Sequence, residues 1–293
     1  MKLIWRRNWK YLVIALVSLL IMLYGMLEDI NFFKIIFRAM TDPVFRANFF
    51  LNQELDVYRH FEPTLFNIAQ HVIETSMGSG FDAIIVLSTV WFQLIIPLFA
   101  LPVCVSFYKM YHSVLKFSYH RSQKSYRKIL FREIFWHAFK LAASVFAGYL
   151  IFMVIAKSRA NPGIFGDPGR SLFKDLIGNG LYTNHTVLYF VLEGFVRFFM
   201  VPFFYTCLGQ AAVLSEVSLR YVIGTPIIYY YGLAAIGYAL YLAVPSIAIY
   251  INPTVLMANG SYDFNTLLML LTNLMPLYLS IGIIYWKDKH VEI

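Results

Sequence analysis

The chain has 293 residues, 59% of them hydrophobic and 14% charged, with a mean hydropathy of +0.63; a water-soluble globule of this composition would hold too much apolar surface against water and is excluded. The net charge of +8 does not point to nucleic acid, because long apolar runs separate the basic residues, as in the cytoplasmic loops of membrane proteins that touch anionic lipid. The two cysteines, Cys104 and Cys207, both fall inside apolar runs rather than in a metal or redox spacing, so a disulfide framework is not indicated.

A hydrocarbon core of roughly 30 Å takes about 20 apolar residues in a helix, and in lipid each helix satisfies its own backbone hydrogen bonds. Short alternating segments of the barrel type are absent. The sequence therefore predicts an all-α integral membrane protein of about six transmembrane helices, read as one domain over residues 1–293.

The first span covers about residues 11–27, behind the basic start MKLIWRRNWK. This start resembles a signal peptide, but EDINFF follows with no small-residue cleavage site, so a retained helix is expected. Residues 28–82 are polar and aromatic, too long for a turn, and are expected to fold on one side of the membrane. Within them the apolar run Ile30 to Phe37, and Leu65, Ile68, Ala69, Val72 and Ile73 at helical spacing, suit short interfacial helices.

The second span, about 83–107, leads into a basic segment, 108–133, and the third covers about 134–156. After the loop NPGIFGDPGRS come spans of about 187–214, 221–250 and 267–286, the last two joined by a short loop holding Asn252 and Pro253. Pro97, Pro102, Pro202, Pro226, Pro245 and Pro276 fall within spans, where each frees a carbonyl and tends to kink its helix.

Charge sets the expected orientation. Lys2, Arg6, Arg7 and Lys10 face no acid in the first ten residues, and residues 109–140 carry eight basic side chains against Glu133, whereas residues 29–82 carry four basic against seven acidic. Basic residues accumulate on the cytoplasmic side, so both termini and the 108–133 segment are expected in the cytoplasm and 28–82 outside. Trp5, Trp9, Trp136 and Trp286 fall where these helices would meet the cytoplasmic interface. Residues 157–186 run mildly against this, with four basic against two acidic.

No catalytic set stands out. The seven histidines are scattered without metal-ligand spacing, so no metal site is expected, and GIFGDPGRS lacks the lysine and spacing of a phosphate-binding loop. Glu193 and Arg197, four apart in the fourth span with the acid first, suit a helical ion pair; charges at such depth are costly unless paired and mark functional or structural pairs alike. Ala235, Ala239 and Ala243 form a small-residue stripe on the fifth span, and Ala143 and Ala147 a shorter one on the third, suited to close helix packing within the chain or between two copies. In the basic segment, Tyr111, Val114 and Leu115 recur at helical spacing, with Arg121, Lys124 and Lys128 on one face of a second stretch and Arg127 beside it. Such a segment either rests on anionic lipid or docks on a cytoplasmic partner.

This arrangement resembles the permease subunits of bacterial ABC-2 type exporters. The likeness rests on the basic start, a first span followed by a large outside segment, LIIPLFALPV leading into a basic segment, RYVIGTPIIYYYG opening the fifth span, INPTVLM after it, and the tail WKDKHVEI. The chain departs from many relatives at Phe107-Tyr108-Lys109-Met110, where they carry an acidic residue with a glycine. The resemblance implies a single permease domain in the bacterial cytoplasmic membrane that is not itself an enzyme. It further implies a separate cytoplasmic ATPase supplying ATP and Mg, a second permease copy or a related permease, and export of a lipid, peptide or drug-like substrate. Tyr111, Leu115, Arg121, Lys124 and Arg127 become its candidates for coupling to the ATPase. The alternative expectation is a membrane immunity or binding protein that sequesters an extracellular peptide at residues 28–82.

Overall fold

The computed structural model describes residues 2–29, 31–51, 62–77, 80–115, 126–160, 172–257 and 265–289. Among these no strand occurs, and six helical stretches are long and apolar enough to cross a membrane: Asn8–Glu28, Phe81–Leu115, Tyr126–Ser158, Thr186–Ser215, Leu219–Tyr241 and Thr266–Asp288, spans 1 to 6 below. These six helices fit a multi-pass helical membrane protein.

Prolines mark several changes of helix geometry: Pro97, Pro102 and Pro202 each stand at the second residue of a segment that continues directly from the helix before it, so each leaves a carbonyl of the preceding turn without its N–H partner, and Pro226 lies inside span 5. Pro245 instead opens a separate helix, where the missing N–H has no intrahelical partner to lose. Span 5 stops at Tyr241 rather than near residue 250. Pro245 disfavours the helical conformation at Val244, which takes φ −140° and ψ 77°, and a new helix, Pro245–Ile251, begins there. This helix packs back against Leu219–Tyr241. Just past its end the backbone comes close to Gly237, where a Cβ would lie 2.5 Å from Asn252 Cβ and 3.0 Å from its Cα, so the site requires glycine. The Asn252 carboxamide oxygen accepts from the Thr254 amide at 3.0 Å and the Thr254 hydroxyl at 2.7 Å, fixing the start of Pro253–Met257, whose five residues are all buried.

The chain divides into two compact units. One comprises Met1–Ser18, Phe92–Leu150 and Asp167–Ile293. Its interior gathers Cys104, Phe107, Tyr111 and Leu115 of span 2 with Leu130 and Ile134 of span 3, Cys207 and Leu214 of span 4, Val222 of span 5 and Ile284 of span 6. The other comprises Leu19–Trp91 and Ile151–Gly166. There Gly25 lets span 1 approach the Ser88 backbone, since a Cβ would fall 2.6 Å from that carbonyl oxygen. Three short helices, Phe32–Thr41, Pro43–Asn48 and Leu65–Met77, close over Ala39, Phe49, Phe50, Ile68 and Val72. Asp42 separates the first two and accepts from the Phe45 amide at 2.9 Å, an N-cap that starts the second.

Candidate functional site

Span 4 is helical from Thr186 to Gly194, widens to a π-helical turn over Phe195–Met200, and continues as Val201–Ala212. Single π turns inside helices occur often at functional sites, and this one carries Arg197. Its Nη2 lies 3.0 Å from Glu193 Oε1, with 4% and 6% of the two side chains exposed, so the pair is sealed from solvent. The same carboxylate oxygen accepts from the Tyr189 hydroxyl at 2.8 Å, and the Tyr189 oxygen in turn accepts from the Leu172 amide at 2.9 Å.

The network continues through residue 172. The Thr266 hydroxyl, at the start of span 6, bonds the Leu172 carbonyl and the Asp175 carboxylate, and the Thr266 amide donates to Asp175 Oδ2 at 2.7 Å. Polar contacts thus run from buried Arg197 to exposed Asp175. Aromatic rings wall the inner end. Tyr149 donates to the Phe190 carbonyl at 2.9 Å, and its ring lies against Gly194, where a Cβ would fall 2.0 Å from Cε1. It lies tilted against Phe198 at 4.5 Å, and Phe198 meets Phe92 edge-on at 5.0 Å.

Of these partners only Tyr189 was within reach of sequence reasoning, since it sits one helical turn before Glu193 and precedes it as Glu193 precedes Arg197. Tyr149, Leu172, Asp175 and Thr266 come from other segments, with no spacing signal to announce them.

Two of the candidate coupling residues turn inward. Tyr111 is 1% and Leu115 6% exposed, both within the interior shared by spans 2 to 6, while Val114 between them is 59% exposed. Their segment, Tyr111–Leu115, is the π turn that closes span 2. Arg127 is engaged within the chain: its Nη1 lies 3.6 Å from Asp288 Oδ2 and its guanidinium 4.9 Å from the Tyr285 ring centre. Nearby, Lys287 pairs with Glu216 at 2.7 Å. Arg121 and Lys124 lie outside the described residues.

On span 5 the inward face consists of Val222, Pro226, Tyr230, Ala234 and Gly237. Ala235, Ala239 and Ala243 are exposed and lie off this face, so among the described residues the stripe is not the packed side of span 5. Among the described residues no three His, Cys, Asp or Glu side chains converge on a point that would hold a metal ion.

Comparison with protein families, curated protein sequences and solved structures finds no match for this chain.

Proposed function

We propose that this chain is the membrane-spanning permease subunit of an ATP-driven transporter of the bacterial cytoplasmic membrane, working with a separate cytoplasmic ATPase that supplies ATP and Mg and with a second permease. One observation carries the reading. The last turn of span 2 carries two large side chains, Tyr111 and Leu115, that belong to the same packed interior as residues of spans 3, 4, 5 and 6. A load applied at the exposed side of that turn reaches four other spans through packed side chains, which transmit strain because interiors are dense. Val114 is the apolar residue that this turn presents outward, and Lys109 before it is exposed as well. In this arrangement Tyr111 and Leu115 work as the inner end of a lever and Val114 as its contact. The π turn and ion pair of span 4 lie in the same unit and give the lever a polar element to move. Substrate class follows only from the family resemblance: a lipid, peptide or drug-like molecule.

The test is co-expression with a P-loop ATPase encoded beside this chain. Val114→Asp should reduce ATPase co-purification and leave the folded yield unchanged, because buried apolar anchors carry most of an interface and a charge there is costly. Tyr111→Ala should instead lower the folded yield. Full co-purification and substrate-stimulated hydrolysis with Val114→Asp would remove this turn as the contact.

A second reading, a membrane protein that sequesters an extracellular peptide, is favoured by one feature. Phe33, Phe37 and Met40 recur along one side of Phe32–Thr41 and are 50%, 68% and 62% exposed. Capture of a peptide by the purified chain without any ATPase supports that reading over transport.

A further inference from the structure

Spans 3 and 4 leave between them a groove of about 650 Å³, lined by Arg132, Glu133, Phe135, Trp136, Phe139 and Phe203. Its walls are aromatic. Phe195, Phe199 and Phe203 recur at every fourth residue of span 4 and stack with centroids 4.8 and 6.2 Å apart. Phe139 and Phe135 of span 3 meet this row edge-on at 5.5 and 5.6 Å. Trp136 and Phe139 stack on each other and stay half exposed, at 52% and 46%.

Two opposite charges close one end. Arg132 Nη2 and Nε lie 3.1 and 3.3 Å from the same Glu133 oxygen. That engages two of the five guanidinium N–H donors, and the side chain is 73% exposed. Lys140 adds a further cation, its ammonium 4.8 Å from the Trp136 ring centre. Sequence fixes the depth. Residues 141–156 carry no charge, while Arg127, Lys128, Arg132, Glu133 and Lys140 all precede them. The boundary between hydrocarbon and water therefore falls along 132–140, and tryptophan favours that level.

We propose that this groove binds one phospholipid, its phosphate on Arg132, an acyl chain between the aromatic walls and a headgroup ammonium on Glu133. The charge pattern selects among headgroups. A purely anionic one would bring negative charge beside the Glu133 carboxylate, and a quaternary ammonium has no N–H to donate to it. A primary ammonium, as in phosphatidylethanolamine, complements both charges at once.

The experiment is native mass spectrometry of the full chain in mild detergent with phosphatidylethanolamine, phosphatidylglycerol or phosphatidylcholine added singly. One phosphatidylethanolamine per chain is expected, held about tenfold better than the other two, a margin within reach of one or two charge-assisted hydrogen bonds. Arg132→Gln should lower its retention about tenfold, and Glu133→Gln should bring phosphatidylethanolamine and phosphatidylglycerol to parity. Both side chains reach the surface, so these variants fold; Phe139→Ala, at a half-exposed wall, should also weaken binding of all three lipids. Soluble glycerophosphoethanolamine should not displace the lipid. Equal retention of the three lipids, unchanged by Arg132→Gln, means a nonspecific lipid shell and overturns the proposal. Displacement by the soluble headgroup, or a groove covered by a second copy that cross-links through Trp136→Cys and holds no lipid, overturns it too.

Discussion

A carboxylate and a guanidinium 3.0 Å apart and nearly sealed from solvent are stable together and costly apart. Removing one partner of such a pair leaves an uncompensated buried charge, at roughly 3–5 kcal/mol, whereas removing both leaves two neutral groups to desolvate. Glu193→Gln alone should therefore lower the melting temperature in detergent more than Glu193→Gln combined with Arg197→Gln. Tyr189→Phe should cost less than either, because Arg197 still pairs the carboxylate when the hydroxyl that donates at 2.8 Å is gone. Independent, additive losses in the single and double variants would mean that the two charges are not coupled.

The short helix Leu65–Met77 turns His71 inward, against Phe49 and Phe50 at 5.9 and 5.6 Å. Burial there disfavours the charged imidazolium and holds its pKa below 6.5, with Glu74 pulling more weakly the other way. In the unfolded chain the same histidine takes up its proton at higher pH. The stability it contributes is thus complete above pH 6.5 and lost as pH falls through the lower, folded value. Amide exchange in residues 65–74, corrected for intrinsic rate, should accelerate below pH 6.5, and His71→Gln should remove that dependence; protection unchanged across the range would rule it out. Elements of this kind were legible in the sequence, because Leu65, Ile68 and Val72 keep a helical period in a polar setting. The spans were legible too, since a charge-free run of membrane length is a property of composition. What periodicity could not assign was the face each apolar helix turns inward. On span 5 every face is apolar, so the alanine stripe looked as fit for packing as the face of Val222, Tyr230 and Gly237 that does pack. Tyr111 and Leu115 posed the same ambiguity, because an apolar pair between two spans reads equally as a partner's anchor or as the chain's own interior. The Glu193 and Arg197 pair was visible as a spacing, but Tyr149, which seals it, lies 44 and 48 positions away.

An even number of crossings places both termini on one side, and the coupling proposed for the last turn of span 2 requires that side to be the cytoplasm, where ATP is. Charge supplies the argument: residues 109–140 carry eight basic side chains against one acidic, residues 29–82 four against seven, and insertion retains lysine and arginine near span ends in the cytoplasm. The loop 157–186, with four basic against two acidic, pulls the other way but is outweighed by the larger imbalance on the opposite side. Exposed Thr64 and Ser113 lie in the segments that the charge pattern assigns to opposite sides, and the native Cys104 and Cys207 are buried in spans, so alanine at both gives a silent background. On intact cells Thr64→Cys should react with an impermeant thiol reagent, and Ser113→Cys should react only after the membrane is opened. Reaction of Ser113→Cys with Thr64→Cys protected would invert the topology. It would also end the coupling argument, because the turn that links five spans would then face away from any ATPase.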